Sequence, residues 1–105
     1  MSTNFYVAEP DRNSVVRHLG QRAGGWKFLL QANNFEFYHD WPSMQKWLSE
    51  DQRVIFDDYG DTYHWRVFAA EVEAWQDRKT RAEDLREFSE YSVRDGYEFF
   101  NWEFF

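Results

Sequence analysis

A chain of 105 residues is close to the usual size of one domain, and nothing in its composition divides residues 1–105 into two cores, so a single folding unit is expected. Hydrophobic residues at 43% and aromatics at 22% exclude a disordered acidic tail, while a formal charge of −7 disfavours direct binding of nucleic acid or an anionic membrane. The lack of cysteine excludes disulfides, thiolate metal sites and a cysteine nucleophile, and fits a reducing cytoplasm.

Met1–Phe5 carries neither the basic nor the apolar region of a signal peptide, and no run approaches the ~18 apolar residues of a membrane span. Phe5-Tyr6-Val7-Ala8 reads as a first strand, halted by a turn at Glu9-Pro10-Asp11. The glycine-rich Gly20–Gly25 reads as a loop. Trp26–Ala32 then alternates as a second strand, with Trp26, Phe28 and Leu30 on one face. Asn33-Asn34 suggests a turn from which Phe35–Tyr38 extends a hairpin.

Asp40 before Trp41 and Pro42 marks a helix start, and Trp41, Met44, Trp47 and Leu48 form its inward stripe to about Glu50. Arg53–Asp57 reads as a third strand, closed by Asp58–Asp61. A second helix is expected from Asp61 or Thr62 to Arg78, with Trp65, Phe68, Ala69, Val72 and Trp75 on one face. Thr80 and Glu83 fit a capping box opening a third helix that carries Leu85, Phe88 and Tyr91 inward and stops at Gly96. The aromatic end reads as a strand sharing Phe100, Trp102 and Phe104 on one face. The expected fold is α+β, a mainly antiparallel sheet of three to five strands with two or three packed helices.

Candidate sites are weighed against ordinary structural roles. His18, His39 and His64 are the metal-ligating or acid–base residue type, but they form neither HExxH nor a close pair. Asp57, Asp58 and Asp61 around Gly60 superficially resemble a cation loop, yet a strand-to-helix turn prefers the same composition. The Gly20–Gly25 loop with Arg22 lacks both phosphate-binding fingerprints. Further acids occur at Glu50-Asp51, Glu71 and Glu73. On the expected third helix, Glu83, Glu87 and Glu90 recur at i, i+4 and i+7 beside Asp84, a negative stripe suited to a basic groove or, on the bland reading, a solvated face. Six tryptophans in a short chain predict an exposed aromatic patch, for which Trp102 and Phe104 are the candidates.

The run Asn4–Phe28, with Arg17-His18-Leu19-Gly20 and Gly24-Gly25-Trp26-Lys27-Phe28, resembles a small family of uncharacterised phage and prophage proteins. The resemblance continues through Trp47, Asp58-Tyr59-Gly60 and Gly96-Tyr97, and departs at Gln21, where a lysine is expected. It implies a phage-encoded protein in the host cytoplasm and carries no activity over to particular residues.

Small size, acidic excess, aromatic richness and missing catalytic motifs together favour a binding protein over an enzyme, without a cofactor. The expected partner is a host protein, such as a defence nuclease or CRISPR complex, whose DNA groove the acids would enter. The expected contact residues are Glu83, Asp84, Glu87, Glu90, Trp102 and Phe104. The rival readings are a small metal-dependent enzyme or metal-binding protein using His18, His39 or His64 with Asp57 or Asp58, and a structural module that self-associates, as in a homodimer, through its C-terminal strand.

Overall fold

Along the first strand Phe5 and Val7 point into the core while Asn4 and Tyr6 take the opposite face, and this alternation divides the molecule into an apolar and a polar side. The computed structural model describes residues 2–9, 15–50 and 53–104. The strands are β1 (Ser2–Ala8), β2 (Val16–Ala23), β3 (Leu29–Gln31), β4 (Val54–Asp57), β5 (Thr62–Tyr63), β6 (Tyr91–Arg94) and β7 (Tyr97–Phe100). The helices are α1 (Trp41–Ser49), α2 (Trp65–Ala74) and the single turn α3 (Ala82–Leu85).

All seven strands join one sheet in the order β5-β4-β1-β2-β3-β7-β6. Every neighbouring pair is antiparallel except β3 and β7, which run parallel with Leu30 opposite Phe99. The class is α+β as expected, but the sheet is mixed and larger than three to five strands. The added strands are short. β5 has two residues, and β6 occupies the stretch assigned to the end of a helix.

Helices α1 and α2 cover the apolar side. Asp40 and Ser43 cap α1 reciprocally: the Asp40 carboxylate accepts from Ser43 N at 2.8 Å and the Ser43 hydroxyl accepts from Asp40 N at 3.1 Å. Trp41, Met44, Trp47 and Leu48 are buried, as the stripe requires. From α2 come Phe68, Ala69 and Val72. Phe68 stands edge-on to Phe28 at 5.6 Å and to Phe5 at 5.5 Å, so three segments meet in one ring cluster. None of the described helices is long and apolar enough to cross a membrane.

Several boundaries differ from the sequence reading, each for a local reason. The strand β2 continues through Gly20 rather than turning there, because a Cβ on Gly20 would lie 2.6 Å from Leu29 O and 2.7 Å from a Phe28 ring carbon; the glycine permits a close strand approach beside a bulge. Only Gly24-Gly25 turns. Trp26 lies outside β3, making an isolated bridge to Lys79, and Phe35–Tyr38 is not a strand. The helix α2 starts at Trp65, three or four residues after the expected Asp61 or Thr62, because Thr62-Tyr63 pairs with β4, leaving His64 as N-cap through its Nδ1, which accepts from Arg66 N at 3.2 Å; it ends at Ala74 rather than Arg78.

The expected third helix ends at Leu85. Its capping box does not form: the Thr80 hydroxyl accepts from Ala82 N at 3.1 Å while donating to Glu98, the N-cap position falls on Arg81, and no Glu83 side-chain bond returns to Thr80 N. Tyr91 begins β6, which turns through Asp95 (φ 54°) and Gly96 (φ 84°) into β7. That pair of left-handed residues is the hairpin turn matched to strand twist. The final strand stops at Phe100, and Trp102 and Phe104 follow in irregular chain. Pro10 and Asp11 of the first expected turn, Asp51 and Phe105 lie outside the described residues.

Candidate functional site

Asn33, Asn34 and Phe35 have φ of 48°, 59° and 50°, three consecutive non-glycine residues in the left-handed region. Left-handed backbone costs L-residues roughly 1–2 kcal/mol each, less for asparagine, so this turn persists only because its surroundings fix it. Asn33 N donates to Gln31 Oε1 at 3.0 Å, and Asn33 Nδ2 donates to His18 O at 2.9 Å and Tyr38 Oη at 2.8 Å. Phe35 packs on Phe99, with the Arg94 guanidinium 3.8 Å from its ring centre.

The C-terminal segment closes onto this turn. Asn34 N donates to Asn101 Oδ1 at 2.7 Å, Asn101 Nδ2 returns a bond to Asn34 Oδ1 at 3.1 Å, and Gln31 Nε2 holds Trp102 O at 2.8 Å. Between them lies an open groove of about 470 Å³ lined by Gln31, Asn33, Asn34, Asn101, Trp102 and Glu103. A second hollow of about 310 Å³ shares Gln31, Asn33 and Glu103 and reaches Tyr6 and His18.

The polar side of the sheet continues from there. Asn4 is its hub: its N and Nδ2 donate to Asp58 Oδ2 at 2.8 and 3.2 Å, and its Oδ1 receives Gln21 Nε2 at 3.4 Å and lies 3.1 Å from His18 Nε2. Tyr6 adds a hydrogen bond to Asp58 Oδ1 at 3.2 Å. Phe104 covers His18, ring centres 4.6 Å apart. Burial brings the His18 pKa down to about 4, against smaller opposing effects of the Gly20 backbone and Asp58, so the imidazole is neutral at pH 7.

The three histidines are not brought together. His18 is half-buried on the polar face, His39 is exposed beside Asp40, and His64 caps α2. Among the described residues no three His, Asp or Glu side chains form a metal-binding group. Asp57 instead binds its own turn, accepting from Tyr59 N at 2.9 Å and Asp61 N at 3.0 Å, while Asp58 ties β1. Arg22 leaves the glycine turn to pair with Glu71 on α2.

The segment carrying Glu83, Asp84, Glu87 and Glu90 lies against β7, where Phe88 touches Phe100 and Glu90 O accepts from Asn101 N. Glu83, Asp84 and Glu87 are exposed and Glu90 is half-buried, spread over one helical turn and the loop after it rather than along a helix face. Within residues 83–90 four acids face the single cation Arg86. Sequence reasoning placed Phe88 inward; it is 50% exposed, touching Phe100 edge-on at 5.9 Å. Val93 on edge strand β6 is 54% exposed. Trp102 is 66% exposed and is joined to this region where Asn101 N donates to Glu90 O at 2.9 Å. Phe104 is half-buried as a cover over the polar face, not an outward ring. The signal for the asparagine groove was the Asn33-Asn34 pair itself, since asparagine tolerates left-handed φ better than other side chains.

Compared with protein-family models, with curated proteins and with solved structures, the chain matches none.

Proposed function

We propose that the protein acts by binding, not catalysis, and that its acidic edge enters a basic groove on another protein. The observation that carries this reading is Phe88, a half-exposed ring at the sheet's β6 end flanked by Glu83, Asp84, Glu87 and Glu90. An apolar anchor within a charged rim is the anatomy of a binding hot spot, and the acids steer the encounter with a basic surface. Val93 and Trp102 are further exposed apolar residues, on β6 and in the chain after β7. The resemblance to phage and prophage proteins makes a host protein in the cytoplasm the partner class, and a nucleic-acid groove, as in a defence nuclease or CRISPR complex, is the basic surface such an edge fits.

The test is capture of a partner from host lysate by tagged protein. Replacing Glu83, Glu87 and Glu90 with lysine should abolish capture, and Phe88→Ala should weaken it at least about tenfold, since hot-spot truncations cost about 2 kcal/mol or more. Raising salt from about 0.05 to 0.5 M should weaken wild-type binding because the screening length falls below the size of the contact. Capture unchanged by the charge reversal and by salt refutes the acidic edge as the contact.

A further inference from the structure

The groove between the left-handed turn and the C-terminal segment is a second surface, built of different chemistry from the acidic edge. We propose that it binds a neutral saccharide.

Four of its six lining residues carry amide side chains, Gln31, Asn33, Asn34 and Asn101; the other two are Trp102, which is exposed, and Glu103. A planar amide presents a donor and an acceptor side by side, the pattern offered by neighbouring hydroxyls of a sugar ring. The amides keep capacity for this. Asn34 spends its Oδ1 on Asn101 and makes no hydrogen bond through Nδ2 to any described residue, and Asn101 Nδ2 has a second proton beyond the one given to Asn34. An exposed indole offers an apolar face for the C–H side of a pyranose, with an N–H at its edge.

The groove is also preformed. Asn34 N, Gln31 Nε2 and Asn33 Nδ2 are all engaged in holding the turn and the Trp102 backbone in place, so little freedom is lost when a ligand enters. Three non-glycine residues kept left-handed mark the kind of strained backbone that clusters at ligand sites. A volume of about 470 Å³ lies within the span of small-molecule sites and admits one or two sugar rings. The lining contains no cation, while Glu103 and a net charge of −7 oppose phosphates, sulfates and uronic acids. The same charge disfavours nucleotides, although a free nucleobase shares the stacking and amide chemistry.

The test titrates isotope-labelled protein, followed by NMR, with maltotriose, cellotriose, triacetylchitotriose and lactose as separate probes, with glucuronic acid and adenosine alongside. At least one neutral saccharide is expected to shift the side-chain amide signals of Asn34 and Asn101 and the Trp102 indole, with a Kd of about 0.1–1 mM. Asn34→Asp removes the amide donors but keeps the acceptor and tolerance of left-handed φ, and Trp102→Ala removes an exposed ring; each should weaken that binding at least about tenfold while the far-UV spectrum stays unchanged. The proposal is overturned if none of the four saccharides shifts these signals, if the shifts survive both substitutions, or if adenosine or glucuronic acid binds there more tightly. Because Asn34→Asp leaves Glu83, Asp84, Glu87, Glu90, Phe88 and Trp102 in place, loss of saccharide binding in that variant with partner capture intact separates the two surfaces, whereas Trp102 belongs to both.

Discussion

Tyr91 reaches diagonally across the β6–β7 hairpin, where it pairs with Phe100, to donate its phenol proton to Glu98 Oε2 at 2.9 Å. Glu98 is only 2% exposed, and the same carboxylate also accepts from the Thr80 hydroxyl and from Arg81 N. It ties the chain before α3 to the strand beyond it.

Truncating this carboxylate leaves several donors buried without an acceptor. Glu98→Ala is expected to cost about 3–5 kcal/mol, since each orphaned group costs about 1–3, whereas Tyr91→Phe, which loses one donor, costs about 1. Urea denaturation of the two variants checks the order. Equal midpoints would show that the carboxylate is not the organising group.

Gly20→Ala should destabilise by about 2–3 kcal/mol through overpacking, although glycine inside a strand is normally a weakness that alanine improves. The added methyl meets the Leu29 carbonyl, which is backbone and cannot rotate away. Thermal unfolding of this variant beside Gly24→Ala, whose Cβ meets nothing within 4 Å, separates crowding from conformational preference.

His18 makes stability depend on pH. Its folded pKa of about 4 lies below the ordinary 6.5, so between those values the unfolded chain binds the additional proton and stability falls as pH falls. From pH 7.5 to pH 5 the loss attributable to this ring is about 2 kcal/mol at most, reduced by its partial contact with solvent. His18→Gln should flatten the urea midpoint across that interval relative to wild type. An unchanged slope would contradict the burial of a neutral imidazole.

Phe28→Ala should cost about 3–5 kcal/mol, and Trp26→Ala distinctly less, because Phe28 is fully buried and Trp26 only half. Glu83→Ala, at an exposed position, should stay within about 0.5. Chemical denaturation of the three gives the ranking.

Helix α1 was legible because every local cue agreed: Asp40 caps, Pro42 fits the first turn and the apolar spacing has a helical period. The end of the sequence was misread because two cues competed. Thr80…Glu83 resembles a capping box, but Thr80 satisfies the buried Glu98, a demand set some eighteen residues away that no local pattern displays. Asp95-Gly96 was a hairpin signal in plain view, overshadowed by the acidic periodicity before it. For the candidate sites, the acids were found by type and their exposure follows, but Phe88 was placed in the core by helix spacing that does not exist there. Of the asparagine groove, the Asn33-Asn34 pair signalled the left-handed turn, but nothing local signalled that residues 101–103 would close onto it from so far along the chain.

The parallel pairing of β3 with β7 also bears on the expected order of assembly. Leu30 meets Phe99 only after the intervening helices and strands have been threaded, whereas β1, β2 and β3 are joined by short connections and can pair early. Contacts of high sequence separation are entropically late. Until the final hairpin arrives, β3 is an open edge with unpaired amides beside an uncovered Leu29 and Leu30, the form in which folding intermediates stick to one another. Refolding should therefore become less efficient as protein concentration rises, and the hairpin at Asp95-Gly96, by setting how quickly that edge is sealed, governs yield as much as it governs stability.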